Sequence, residues 1–147
     1  MSDLKVMNAP KLIIIVASLL VVGCATSPSN LTSSRLVPAR RIAHLPEASN
    51  PKLAARVTIV RDVGFAGSAA TVNLRLNGRP VASFHPNESL TFTLDPGEYV
   101  FGVKPGPNLG SGLNELSLTA KAGERYFFRL SSTYAGFILQ RSYEINR

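Results

Sequence analysis

Hydrophobic and polar residues alternate along most of the chain after residue 52, and a period of two predicts β-strands. Val72, Leu74 and Leu76, for example, alternate with Asn73 and Arg75. Similar segments recur at intervals of roughly 8 to 12 residues, the spacing of short strands in sandwiches and barrels. No segment after residue 52 shows a helical period. The pattern therefore predicts an all-β domain, an antiparallel β-sandwich of about seven or eight strands. The apolar positions assigned to the strands are Val57, Ile59, Val72, Leu74, Leu76, Val81, Phe84, Leu90, Phe92, Leu94, Tyr99, Phe101, Val103, Leu116, Leu118, Ala120, Tyr126, Phe128, Leu130, Phe137, Leu139, Tyr143 and Ile145.

Turn residues separate these strands. Asn77-Gly78 is a strong hairpin signal because a type I′ turn needs positive φ at both central residues. Pro80 follows at once, and a residue without an N–H favours a short strand or an edge strand. Asp95-Pro96-Gly97-Glu98 predicts a second turn, with Gly97 in the left-handed region. Lys121 to Glu124 predicts a third.

The first two dozen residues differ from the rest. Leu12 to Val22 is an apolar run of 11 residues, preceded by Lys5 and Lys11. A membrane-spanning helix needs about 20 apolar residues, so this run is too short to span. Its length and flanking charge are typical of the core of a secretory signal peptide, here residues 1–23.

The end of this run, Val21-Val22-Gly23-Cys24, resembles the lipobox of bacterial lipoproteins. The resemblance implies cleavage before Cys24, diacylglycerol on its thiol, and a further acyl chain such as palmitate on the new amino terminus. A thiolate suits thioether formation because it is a strong nucleophile, and two or more acyl chains give a firm anchor. A plain secretory signal, or an uncleaved anchor with a cysteine there by chance, remains the alternative.

Ala25, rather than Asp, follows the cysteine. By the sorting of enterobacterial lipoproteins, this implies the outer membrane with the domain facing the periplasm; the periplasmic face of the inner membrane is the alternative. The segment 24–51 lacks a sustained period and is rich in Ser, Thr, Pro and Asn, which predicts a flexible tether. Such a tether would span roughly 28 Å and lift the domain off the lipid. Within it, Leu36-Val37 and Ile42 to Leu45 could instead dock on the domain.

Composition adds a basic balance. Lys plus Arg is 16 and Asp plus Glu is 9, for a net charge of +7, and the single Cys excludes an intrachain disulfide. The 11 Arg residues suit an acidic partner such as lipopolysaccharide phosphates, anionic lipid or an acidic protein face. A basic surface that is simply solvated is an equal alternative.

Catalytic and metal chemistry find little support. The two histidines, His44 and His85, lie in the tether and in a turn, and no nucleophile elbow is present. No His or Cys pair has metal-ligand spacing. We therefore expect no enzyme, no metal, no cofactor beyond the lipid on Cys24, and no nucleic-acid partner. Rigid sandwiches often carry recognition on loops, so Asn108, Gly110 and Ser111 form a candidate binding loop; a plain hairpin tip is the alternative.

The domain at 52–147 carries five sequence motifs: Ala55-Arg56-Val57, a strand that ends at Arg61-Asp62, Leu76 to Ala82, Leu94 to Tyr99 and Ala122 to Phe127. Through these motifs, residues 54–146 resemble a known family. The strand and turn motifs look like an uncharacterised family of small proteobacterial lipoproteins with a β-sandwich domain, and 72–130 is similar to PEGA-type surface domains. The resemblance implies an Ig-like or PEGA-like sandwich and brings no catalytic residues. We expect a non-enzymatic envelope lipoprotein that binds an envelope protein or anionic polymer, or alternatively a lipid or glycan ligand. The oligomeric state stays open.

Overall fold

The computed structural model describes residues 27–64, 70–107 and 112–143. Over these ranges the protein is all-β, with two sheets of five and four strands packed as a sandwich, which confirms the expected fold class. Two single turns of 3₁₀ helix, Leu31–Ser33 and Ala39–Arg41, precede the domain. The strands are β1 Arg35–Leu36, β2 Ala55–Arg61, β3 Val72–Leu76, β4 Arg79–Phe84, β5 Glu88–Leu94, β6 Gly97–Pro105, β7 Asn114–Ala120, β8 Arg125–Thr133 and β9 Gly136–Ser142.

The sheets are ordered β1-β5-β2-β8-β9 and β4-β3-β6-β7. The four-stranded sheet is antiparallel throughout. The five-stranded sheet is mixed, because β2 pairs with β8 in parallel and β1 pairs with β5 in parallel. A parallel pair needs a long crossover connection. The connection between β2 and β8 contains the four strands of the opposite sheet as well as β5. Strand alternation does not encode pairing direction, so the sequence pattern missed this.

The core lies between the two sheets and consists mainly of residues that the alternation assigned to the strands, together with some that it did not assign, such as Val37 and Ala55. Val57, Ile59 and Val72 are fully buried. Phe101 stands at the centre, with its ring centroid 6.3 Å from that of Phe92 and 5.4 Å from that of Phe128. These spacings suit tilted aromatic contacts. A wrong register would turn these side chains to solvent, so their burial fixes the strand pairing.

The turns follow the sequence with one exception. Asn77 and Gly78 both have positive φ, 48° and 77°, as a type I′ hairpin requires. Pro80 lies on β4, which is an edge strand as expected. The prediction for Gly97 is wrong: it has no positive φ and begins β6. The final strand is shorter than expected, because β9 ends at Ser142 and Tyr143 is 82% exposed.

The segment predicted to be a flexible tether packs on the sandwich over residues 27–50, and we call these residues the N-terminal strap. Ser27 forms a bridge with Val63 near the end of β2, and Ile42 forms another with Ala82 of β4. Val37 is 5% exposed and belongs to the core. The structure therefore differs from a free linker here and agrees with the alternative, in which Val37 and Ile42 dock on the domain. Single apolar and charged residues hold the strap without producing any sequence period.

Several predicted features lie outside the described residues. These are the signal peptide, Val21, Val22, Gly23 and Cys24, the candidate loop residues Asn108, Gly110 and Ser111, and Ile145. Over the ranges that are described, no helix has the length and apolar character to cross a membrane.

Candidate functional site

The N-terminal strap closes one side of the sandwich. β1 adds to the outer edge of β5, with the Val37 N–H donating to the Ser89 carbonyl at 3.0 Å. On the other sheet, the Ala43 N–H donates to the Val81 carbonyl of β4 at 2.8 Å. Open strand edges invite pairing with other chains. The strap therefore satisfies part of the edges of both sheets on this side.

A charged cluster holds the middle of the strap. The Arg41 guanidinium forms an ion pair with the Glu88 carboxylate and donates to the Ser83 carbonyl at 3.1 Å. The His85 N–H also donates to Glu88, at 2.7 Å. Burial alone would raise the pKa of Glu88, but the hydrogen bonds from Arg41 and His85 and the Arg41 charge outweigh it and lower the pKa. Glu88 thus joins the strap to the β4–β5 turn.

A second charged cluster holds the start of the strap. Asp62 accepts from the Ser29 N–H at 3.0 Å, from Arg129 at 2.6 Å and from the Ser131 hydroxyl at 2.7 Å. Arg129 also donates to the Ser29 carbonyl at 3.2 Å. Ser29 and Asp62 are both buried. Charge-assisted hydrogen bonds of this kind fix geometry strongly, so the strap backbone at Ser29 is held on the outer face of the five-stranded sheet.

Arg61 is buried at the same end of the sandwich. Its guanidinium donates to the Ala70 and Phe84 carbonyls, both at 2.6 Å, and lies 5.2 Å from the Phe137 ring centroid. Burial lowers its pKa to about 10, while the Glu88 charge acts the other way. At neutral pH the group therefore stays a cation that satisfies backbone carbonyls.

The opposite side of the sandwich is formed by the edge strands β7 and β9, which pack against each other across the two sheets. We call this side the open seam. No strand of the described ranges pairs with the outer edge of either one. Each is seven residues long, which suffices for an extended segment to add as a further strand.

A cleft at one end of the seam carries aromatic and basic groups. The Arg141 guanidinium lies 4.9 Å from the Tyr126 ring centroid and 5.1 Å from that of Tyr143. The Tyr126 hydroxyl donates to the Thr119 carbonyl at 3.1 Å and accepts from the Lys121 N–H at 2.9 Å. Burial raises the pKa of Tyr126. This tyrosine is a structural bridge between β7 and β8.

A separate cleft of about 440 Å³ lies on the outer face of the four-stranded sheet. Asn73, Arg75, Ser83 and Lys104 line it together with apolar residues of β4 and β6. The Ser83 hydroxyl donates to the Asn73 side-chain oxygen at 2.6 Å, and Arg75 donates to the Gly78 carbonyl. The volume falls within the range of small-molecule sites, and its two cations suit an anionic group.

Neither histidine ring belongs to these clusters, although the His85 backbone N–H donates to Glu88. His44 is an exposed residue of the strap, and His85 is an exposed turn residue whose ring nitrogen lies 3.4 Å from the Thr71 hydroxyl. The ranges described contain no group of three His, Cys, Asp or Glu side chains placed to hold a metal. The buried charged clusters were missed by the sequence patterns. Their partners are 47 residues apart for Arg41 and Glu88 and 67 apart for Asp62 and Arg129. The local signal that could have pointed to them is the charged pair Arg61-Asp62 at the end of an apolar strand.

Comparison with known proteins gives no assignment. No family model matches the chain, and no curated protein matches it.

Proposed function

We propose that this protein is a non-enzymatic lipoprotein of the bacterial cell envelope, anchored through Cys24 and displaying its β-sandwich as an interaction module. The carrying observation is the N-terminal sequence, in which a short apolar run with flanking lysines ends at Val21-Val22-Gly23-Cys24. A placement at the periplasmic face of the outer membrane, and kinship with PEGA-like lipoprotein domains, belong to the same proposal.

The buried polar side chains bind other parts of the same protein, and this supports the role of a structural module. Arg61 binds backbone carbonyls, Asp62 binds Arg129 and the strap, and Glu88 binds Arg41. A catalytic group has to reach a substrate within hydrogen-bond distance. These three side chains instead form hydrogen bonds that hold the strap and the strand ends together.

The experiment compares membrane fractions of cells that produce the wild-type chain or Cys24→Ser. We expect the wild type in the outer-membrane fraction and resistant to high salt, because acyl chains hold it. The serine variant should lose salt-resistant membrane association, with the domain still folded. Equal fractionation of the two chains would contradict the anchor.

The open seam supports a protein partner. Ile138 and Phe137 are only partly buried on β9, beside polar Gln140. An extended segment of an envelope protein could pair with this edge through main-chain hydrogen bonds. Crosslinking from a photoreactive residue at position 140, followed by mass spectrometry of the adduct, should give one dominant envelope protein. The matched control is position 79 on edge strand β4; the same adduct from both positions would contradict recognition at the seam.

The cleft on the four-stranded sheet supports a second candidate, recognition of an anionic lipid or glycan. Arg75 and Lys104 supply positive charge beside the Asn73 and Ser83 polar groups. Lys104→Glu should then abolish binding of lipopolysaccharide in a titration, whereas Lys52→Glu outside the cleft should not. If the wild type shows no saturable binding, this candidate fails.

A further inference from the structure

The distance between the proposed anchor and the folded domain is short. The Ser27 N–H donates to the Val63 carbonyl at 2.7 Å, and the Val63 N–H donates back at 3.2 Å. Only three residue steps separate Cys24 from Ser27. A fully extended chain covers at most about 3.6 Å per residue, so the two residues can be no more than roughly 11 Å apart. A free tether of the length expected from sequence would allow roughly 28 Å.

The distance between Cys24 and the domain would increase if the strap detached, but detachment breaks buried contacts. Two residues after Ser27, the Ser29 backbone is held from both sides, its N–H by Asp62 and its carbonyl by Arg129. Further along, Val37 fills the core. Extending the strap would leave the Asp62–Arg129 pair without these partners, and buried polar groups that lose partners are costly.

One end of the sandwich therefore faces the anchor, and it exposes apolar side chains. Val63 is 43% exposed, Leu113 is 50% exposed and Tyr134 is fully exposed. Leu113 and Tyr134 line the same cleft, together with Phe137. Extending the parallel register Arg61↔Leu130 places Val63 beside Ser132, two residues from Tyr134. We call this the anchor end.

Tyr134 has the chemistry of an interfacial residue. It lies at the tip of the β8–β9 hairpin, where Gly136 has a φ of 122° and the Ala135 N–H donates to the Thr133 hydroxyl. Tyrosine is enriched at bilayer interfaces, where its ring meets acyl chains and its hydroxyl meets headgroups. Exposed cations also lie near this end, Arg35 on β1 and Lys104 beside the last residue of β6, together with the exposed carboxylate of Glu115. The mixed charge makes apolar contact the main attraction.

We propose that the anchor end lies directly against the headgroup layer of the membrane that holds Cys24, with Tyr134 in the interface, so that the sandwich stands on the leaflet with its opposite end pointing away. This inference rests on the proposed lipidation of Cys24. The occupant of the anchor end is the lipid bilayer itself.

The experiment uses the full-length protein purified from membranes and reconstituted in phosphatidylethanolamine–phosphatidylglycerol vesicles. Ala135→Cys places a maleimide fluorophore beside Tyr134, which is kept. The matched control is Ala122→Cys, an exposed alanine in the β7–β8 turn. The nine residues of strand β8 lie between the two positions and span roughly 30 Å.

Nitroxide groups on the lipid headgroups then quench any fluorophore near the bilayer surface. We expect the label at 135 to lose most of its emission and the label at 122 to keep it. Equal emission from both labels, or stronger quenching at 122, would overturn the orientation.

The labelling stoichiometry separates the two proposals. Cys24 is the chain's one native cysteine, and a thioether-linked Cys24 cannot react with maleimide. One label per chain shows that the thiol is blocked, and the quenching then tests the orientation alone. Two labels per chain would overturn the lipidation and the orientation together.

A second variant tests the short spacing while leaving the domain intact. Inserting a 15-residue Gly-Ser segment between Ala25 and Thr26 allows the domain to move roughly 20 Å further from the anchor. Emission at 135 should rise toward that of the control. Unchanged quenching would contradict the role of the three-residue spacing.

Discussion

Single buried charged residues in this protein hold segments of the backbone in place through hydrogen bonds. Arg61 donates to two backbone carbonyls. Asp62 accepts hydrogen bonds from three residues, and Glu88 joins Arg41 to the His85 N–H. A buried pair gains little over an apolar pair, but losing one member leaves the other charge unpaired. These residues are therefore expected to be intolerant of single substitutions although they take no part in the hydrophobic core.

Replacement of Asp62 tests this directly. In Asp62→Ala, Arg129 and the Ser29 N–H lose their buried acceptor, and removing one partner of a buried pair costs about 3–5 kcal/mol. Urea unfolding of the mature chain with Cys24→Ser measures the change. Glu115→Ala, at an exposed carboxylate, should change stability by less than about 0.5 kcal/mol. Equal effects of the two substitutions would contradict the fastening role of Asp62.

Acid should loosen the strap through Glu88. Its pKa is lower in the folded protein than the ordinary 4.5, so the folded state binds this proton less readily than the unfolded state. The stabilisation is complete above that ordinary value and is lost as the pH falls through the folded pKa. The melting temperature, measured from pH 7 to pH 3, should decrease once the pH is below about 4.5. The Glu88→Gln variant should have a lower melting temperature than the wild type at pH 7 and a smaller decrease at acid pH. A pH profile identical to that of the wild type would contradict this role of Glu88. The pKa of Asp95, which hydrogen bonds from Ser49 lower, changes stability in the same direction.

At the level of elements, the strands and tight turns could be predicted because each depends on neighbours in sequence. Alternation identifies Leu74 and Phe92 as buried, and Asn77-Gly78 identifies the hairpin. The strap could not be predicted in this way. β1 has only two residues, and its docking depends on Val37 and Arg41 meeting partners from distant segments. The parallel pairing of β2 with β8 is likewise a long-range property.

The β3–β4 hairpin depends on glycine at one position. Gly78 has a φ of 77°, and a Cβ there would meet no atom within 4 Å, so an alanine suffers only backbone strain. Gly78→Ala should destabilise the domain by about 1–2 kcal/mol, the cost of a left-handed conformation for a residue with a Cβ. Gly112 also has open space but no positive φ, and Gly112→Ala is the control. Thermal unfolding that ranks the two equally would contradict the type I′ turn.

At the level of the whole molecule, the strap divides the sandwich into a closed side and the open seam. A chain that begins at Leu45 loses β1, Val37 and the Arg41–Glu88 pair, and it exposes the edges of β4 and β5. We expect it to melt lower and to self-associate, since unprotected edges pair between molecules. Light scattering against concentration compares it with a chain that begins at Ser27. Identical association of the two would show that the strap does not protect these edges.

The same view connects the sandwich to its proposed anchor. The strap begins at Ser27 on the anchor end, so only a very short stretch of chain separates the fold from Cys24, the residue proposed to carry the lipid. The proposed anchor determines how the domain is oriented on the membrane. The contact of Tyr134 with the bilayer and the access of partners to the open seam follow from that orientation. The lipid on Cys24 is thus the central claim.

The most direct test is the intact mass of the protein extracted from bacterial envelopes. The account predicts a chain that begins at Cys24 and carries the added mass of diacylglycerol and one amide-linked acyl chain, and a Cys24→Ser chain without either addition. A wild-type chain that retains residues 1–23, or one that begins elsewhere without added lipid mass, would contradict it.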